Sequence, residues 1–191
     1  MHNLNKKGDI WVSTVIYIAI SIIVIAIVLL AALPLIQKLK DRNVTTQTKN
    51  ILTQIDKNIK EVISSGPGAK RVISPIIIDA GLLEIDFRSS ASAINWTMKT
   101  KDALAEPGIT RQEGSVFIVV NERRAGGSVV EGEFEISQYL SYKLNPEIIF
   151  TRNLNSLRSP FTGRFTMSVR YLGTTPNANS QPVPHLEINM Q

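Results

Sequence analysis

The chain has 191 residues, 43% of them apolar, with 21 Lys plus Arg against 16 Asp plus Glu and no cysteine. The lack of cysteine excludes a disulfide framework and a thiolate metal centre, and the only histidines, His2 and His185, stand at opposite ends of the chain, which gives little support to an imidazole metal site or a His general base. The basic excess is scattered and is not interleaved with aromatics as nucleic-acid surfaces are, so no nucleic-acid partner and no cofactor are expected.

Residues 10–36 carry no charge and are interrupted only by the small polar side chains Ser13, Thr14 and Ser21. A hydrocarbon core about 30 Å thick is crossed by about 20 such residues in a helix, the one single-segment form whose backbone groups satisfy one another in lipid. The run is too long for the apolar region of a cleavable secretory signal, which is about 7–15 residues. Lys6 and Lys7 precede it and Lys38, Lys40 and Arg42 follow it, so charge counting does not fix its orientation. Beyond it, Val44, Thr48, Ile51, Ile55, Ile59 and Val62 recur at steps of three and four, while Lys49, Thr53, Lys57 and Lys60 fall on the opposite face. The helix is therefore expected to run over about 10–63 and to stop at Ser64-Ser65-Gly66-Pro67-Gly68, with a kink at Pro34 where one backbone donor is missing.

After that stop the pattern changes to short β-branched runs bounded by turn residues. Strands are expected over 72–78, 82–87, 93–98, 116–120, 129–136, 139–144, 148–151 and 164–171, with a last one over 186–190. Segments 99–114 and 153–163 read as surface loops, and 173–184 as a flexible connection. Glu131, Glu133 and Glu135 alternate as on a solvated strand face, and Glu84 and Asp86 repeat the arrangement. Two carboxylates are the minimum for glycoside hydrolysis, yet no Gly-x-Ser-x-Gly is present, and Gly66-Pro67-Gly68 lacks the Lys of a phosphate-binding loop. Asn43-Val44-Thr45 and Asn95-Trp96-Thr97 match the N-glycosylation acceptor pattern, making Asn43 and Asn95 candidate acceptors if the head is extracytoplasmic.

A short polar leader ending in Lys6-Lys7-Gly8, directly followed by a long apolar helix and then a β-rich head, resembles the type IV pilin superfamily, in particular archaeal pilin-like proteins with class III signal peptides. The resemblance implies that a prepilin peptidase cuts between Gly8 and Asp9, that residues 1–8 are a cytoplasmic leader, and that lipid holds the subunit until pilus assembly machinery packs helix against helix in a filament. One position departs from the family pattern: Ser13 stands fifth after the cut, where many pilins carry a Glu that neutralises a neighbour's N-terminal amine, and Asp9 is the only carboxylate nearby to take that part.

The expected architecture is α+β: a leader over 1–8, a transmembrane helix over 9–36, its amphipathic continuation over 37–65 and an antiparallel β-rich extracytoplasmic head over 66–191. The expected function is structural and non-catalytic, self-association into a cell-surface filament through the N-terminal helices. The alternative is a monomeric single-span surface binding domain, and an enzyme would have to work through residues such as Glu84 and Asp86.

Overall fold

In a computed structural model of the chain, residues 6–87, 92–142, 147–153, 156–157, 159–177 and 179–191 are described, the side chains of residues 6–10 and 12 excepted. The protein is α+β: one helix, α1 (Lys6–Ser64), and an eight-stranded, mostly antiparallel sheet. It divides into two compact units, Met1–Asp41 and Arg42–Gln191.

Within the first unit, α1 begins at Lys6, four residues before the expected start, and continues unbroken through Pro34. Its apolar side chains have no protein around them: Trp11 is 76% exposed and Leu30 is 73% exposed. Ser21 Oγ donates to the Tyr17 carbonyl oxygen at 2.8 Å, so this hydroxyl is satisfied inside the helix itself, as a polar group in a hydrocarbon environment requires. This helix is long and apolar enough to cross a membrane.

In the second unit, the end of α1 meets its expected stop. Ser64 is the last helical residue, Gly66 takes a φ of +91°, and the Gly68 amide donates to the Tyr171 carbonyl at 2.8 Å, which starts strand pairing. The strands are β1 (Lys70–Asp86), β2 (Ala93–Thr100), β3 (Thr110–Glu113), β4 (Val116–Ala125), β5 (Ser128–Ser141), β6 (Ile149–Arg152), β7 (Phe161–Pro176) and β8 (Pro182–Met190). Their order across the sheet is β3-β4-β5-β2-β1-β7-β8-β6, antiparallel except for the β6–β8 pair.

Period-two alternation divides this sheet into a covered and an open face. Ile94, Trp96, Ile136, Leu140, Met167, Val169, Leu186 and Ile188 are buried in one core with Val44, Leu52, Ile55, Ile59 and Val62 of α1. Burying those five helix side chains contributes on the order of 10 kcal/mol as an upper bound. Of the stripe read from the sequence, Val44, Thr48, Ile55, Ile59 and Val62 are buried and Ile51 is only partly so, while Leu52 and Asp56 join the buried face. Gln138 Nε2 donates to the Thr45 carbonyl at 2.9 Å and Lys49 Nζ meets Glu113 Oε2 at 2.7 Å, so the helix is also tied to the sheet by polar contacts.

Several strand expectations change. Runs 72–78 and 82–87 are one 17-residue strand, bent rather than ended at Gly81, and 129–136 and 139–141 belong to one strand because Gln138 faces the core and bonds to the helix instead of breaking the pattern. The end of run 139–144 lies outside the described residues. Segment 99–114 contains edge strand β3, which pairs Thr110–Glu113 with Val116–Val119 although all four of its residues are exposed. Segment 173–184 is largely strand too: β7 extends to Pro176 and β8 begins at Pro182.

Candidate functional site

The open face carries a groove of about 890 Å3 across the middle of the sheet. Its position follows from register. Glu84 of β1 stands opposite Asn95 of β2, Asn95 opposite Tyr139 of β5, and Tyr139 opposite Phe117 of β4, so one straight row of side chains crosses four strands. The row beside it runs Asp86, Ala93, Ser141, and the row on the other side brings Thr97, Ser137 and Val119 together. Ala93, Ser137 and Ser141 are short, and their shortness leaves the trough.

The walls are chemically uneven. On one side Glu84 is exposed and Asp86 half-buried; on the other, the Tyr139 ring is half-buried and stacked on Phe117, with ring centroids 5.2 Å apart and planes 16° from parallel. Between them Asn95 lines the groove with its side-chain Oδ1 covered and without a hydrogen-bond donor. Among the described lining residues none is basic. Hydroxyls, an amide, two carboxylates and an aromatic pair can accept and donate several hydrogen bonds to a polar ligand, and the volume lies in the range of small-ligand sites.

On the covered face, Tyr142 is a strongly perturbed titratable group. Tyr142 Oη donates to Asp56 Oδ1 at 3.0 Å, and Asp56 Oδ2 also receives Lys60 Nζ at 2.6 Å. Burial pushes the Tyr142 phenol far above its usual range, and the neighbouring Asp56 carboxylate pushes it further. This is a buried clamp between helix and sheet, and its part is structural.

The remaining sequence candidates are dispersed. Lys6, Lys7, Gly8 and Asp9 form the first turn of α1, with side chains outside the described set. Asn43 is exposed on α1, whereas Asn95 sits mid-strand in the groove beside the fully buried Trp96. Glu131 is exposed, Glu133 pairs with Arg123, and Glu135 stands opposite Lys99, so the three glutamates answer different neighbours. The insertion of Val130–Glu133 against the single residue Arg123 interrupts their alternation. His185 bonds the Thr151 hydroxyl, and no group of three metal-ligating side chains occurs among the described residues. Sequence reading singled out Glu84 and Asp86 but missed Tyr139, Ser137, Ser141 and Phe117. The alternation Ser137, Tyr139, Ser141 was the available signal, a strand face of small polar residues around one aromatic.

No protein-family model, curated protein or solved structure matches this chain.

Proposed function

We propose that this protein is a pilin-like subunit, held in the membrane by the first part of α1 and able to assemble through it, with its β head outside the cytoplasm. One observation carries the reading: from Trp11 to Ile36 the helix presents apolar side chains on every side with no protein around them. Such a surface is at rest only in lipid or among similar helices. A helix whose second half is instead amphipathic and built into the head joins an assembly segment to a folded domain in one element, which also supports the reading. Lys6-Lys7-Gly8 supplies the processing signal, prepilin peptidase and the assembly machinery are the implied partners, and no catalysis is assigned to the chain.

The test is the native N-terminus and what shears from the cell surface. Mass spectrometry is expected to find Asp9 first, and filaments sheared from cells are expected to contain the chain; an intact Met1 with no filament sinks the proposal. Asp9→Asn is expected to lower filament yield if Asp9 compensates a neighbour's amine, and unchanged yield removes it from that part.

A second reading, a membrane-anchored binding domain that stays monomeric, is favoured by the groove on the open face. Its signature is an unprocessed chain that remains single in the membrane while the head binds a ligand.

A further inference from the structure

We propose that the groove on the open face binds a neutral oligosaccharide, with its sugar rings laid across the strands along the row Glu84, Asn95, Tyr139. This goes beyond the assembly reading and holds whether the chain is a filament subunit or a lone anchor.

The first argument is geometric. Neighbouring strands lie about 4.8 Å apart, so the three side chains of that row, one on each of β1, β2 and β5, mark a line of about 10 Å at a spacing close to that of successive rings in an extended pyranose chain. The floor of Ala93, Ser137 and Ser141 leaves room for rings to lie down rather than stand on end.

The second argument is chemical. A sugar ring has an edge of hydroxyls and a face of C–H groups. Glu84 offers carboxylate oxygens, the strongest acceptors available to hydroxyl donors. Asn95, Ser137 and Ser141 add weaker partners at the floor. The Tyr139 ring offers an apolar surface with a polar tip, and Phe117, stacked on it, holds it in one orientation, which lowers the ordering cost of binding.

The third argument is charge. With the exposed Glu84 carboxylate at its rim and no basic residue among the described lining, the groove disfavours phosphates, nucleic acid and acidic sugars.

The experiment uses the full chain in a detergent with no sugar headgroup and titrates it calorimetrically with cellohexaose, mannohexaose and chitohexaose, and with hexagalacturonate as the acidic counterpart. At least one neutral hexasaccharide is expected to bind and hexagalacturonate to bind at least about tenfold more weakly. Glu84→Gln, a change at an exposed position, and Tyr139→Ala are each expected to weaken binding about tenfold or more, whereas Tyr139→Phe retains most of it and Lys57→Gln on the exposed face of α1 leaves it unchanged. Circular dichroism of each variant separates lost binding from lost fold, and Glu84→Gln decides the matter if Tyr139→Ala does not fold. The proposal is overturned if none of the neutral sugars binds, if hexagalacturonate binds as tightly as they do, or if folded Glu84→Gln binds like the parent. These outcomes are independent of N-terminal processing and filament formation.

Discussion

Tyr142 Oη lies 3.0 Å from Asp56 Oδ1, joining the end of β5 to the buried face of α1 across residues 86 positions apart in the chain. Asp56 is 5% exposed and also meets Lys60, whose side chain is 55% exposed. The tyrosine bond is the buried half of this arrangement and the lysine contact its solvent-screened half. Tyr142→Phe leaves a buried carboxylate oxygen without its donor, so the head is expected to lose about 1–3 kcal/mol in urea unfolding at neutral pH.

The same bond carries a pH signature. The Tyr142 pKa is raised on folding, first by burial and then by Asp56, so its contribution is complete below the unfolded tyrosine value of about 10 and is lost as the pH rises beyond it. Urea midpoints measured from neutral pH to about pH 11 are expected to fall more steeply at the alkaline end for the parent than for Tyr142→Phe. Parallel curves would show that the phenol is not protected in this way.

Gly81 is a position where only glycine fits. Its φ is +83°, and a Cβ there would lie 2.5 Å from the Thr97 carbonyl oxygen and 2.6 Å from Trp96 Nε1, the indole nitrogen that donates to the Ala80 carbonyl at 3.0 Å. Gly81→Ala is expected to cost about 2–5 kcal/mol from strain and overpacking together. Gly126→Ala, with φ +60° in the β4–β5 turn and open space around it, is expected to cost about 1–2 kcal/mol from backbone strain alone. Thermal melts of both variants check the contrast.

Leu52 and Ile55 are fully buried between helix and sheet. Truncating either to Ala is expected to destabilise the head by about 2–5 kcal/mol through lost burial and a residual cavity. Lys57→Ala, on the opposite face of the same turns, is expected to stay within about 0.5 kcal/mol. Equal effects from the two faces would contradict the packing.

A chain beginning at Arg42 retains the whole second unit and loses the exposed apolar stretch. It is expected to remain soluble without detergent, with a cooperative melt and a β-rich circular dichroism spectrum, while the full chain requires detergent. Insolubility of the shortened form would place an unmet apolar surface on the head.

The helix was legible because its two signals are local. An unbroken uncharged run and a stripe at steps of three and four are set by nearest turns, and Gly66-Pro67-Gly68 ends the helix by backbone geometry alone. The strands were legible as segments but not as lengths. Gly81 reads as a break in sequence and acts as a bend, and Gln138 reads as polar in a core row because its partner, the Thr45 carbonyl, is 93 residues away. Edge strand β3 carries no burial pattern, since pairing with β4 rather than packing defines it. The groove was only half legible: Glu84 and Asp86 stand out as charges, but their meeting with Asn95 and Tyr139 is a property of register, which no single segment contains.

The two long pairings of β1 are offset along its length. Residues Lys70 to Ile78 ladder mainly with β7, and Leu82 to Asp86 with β2, so the bend at Asp79-Ala80-Gly81 is the splice where the two halves of the sheet are joined. Adding or removing a single residue at that splice would turn one half inside out against the other, sending Glu84 and Asp86 toward the core and Leu83 and Ile85 toward water. Variation in this protein should accordingly change the letters at 79 and 80 far more readily than the number of residues in the splice, while position 81 keeps its glycine.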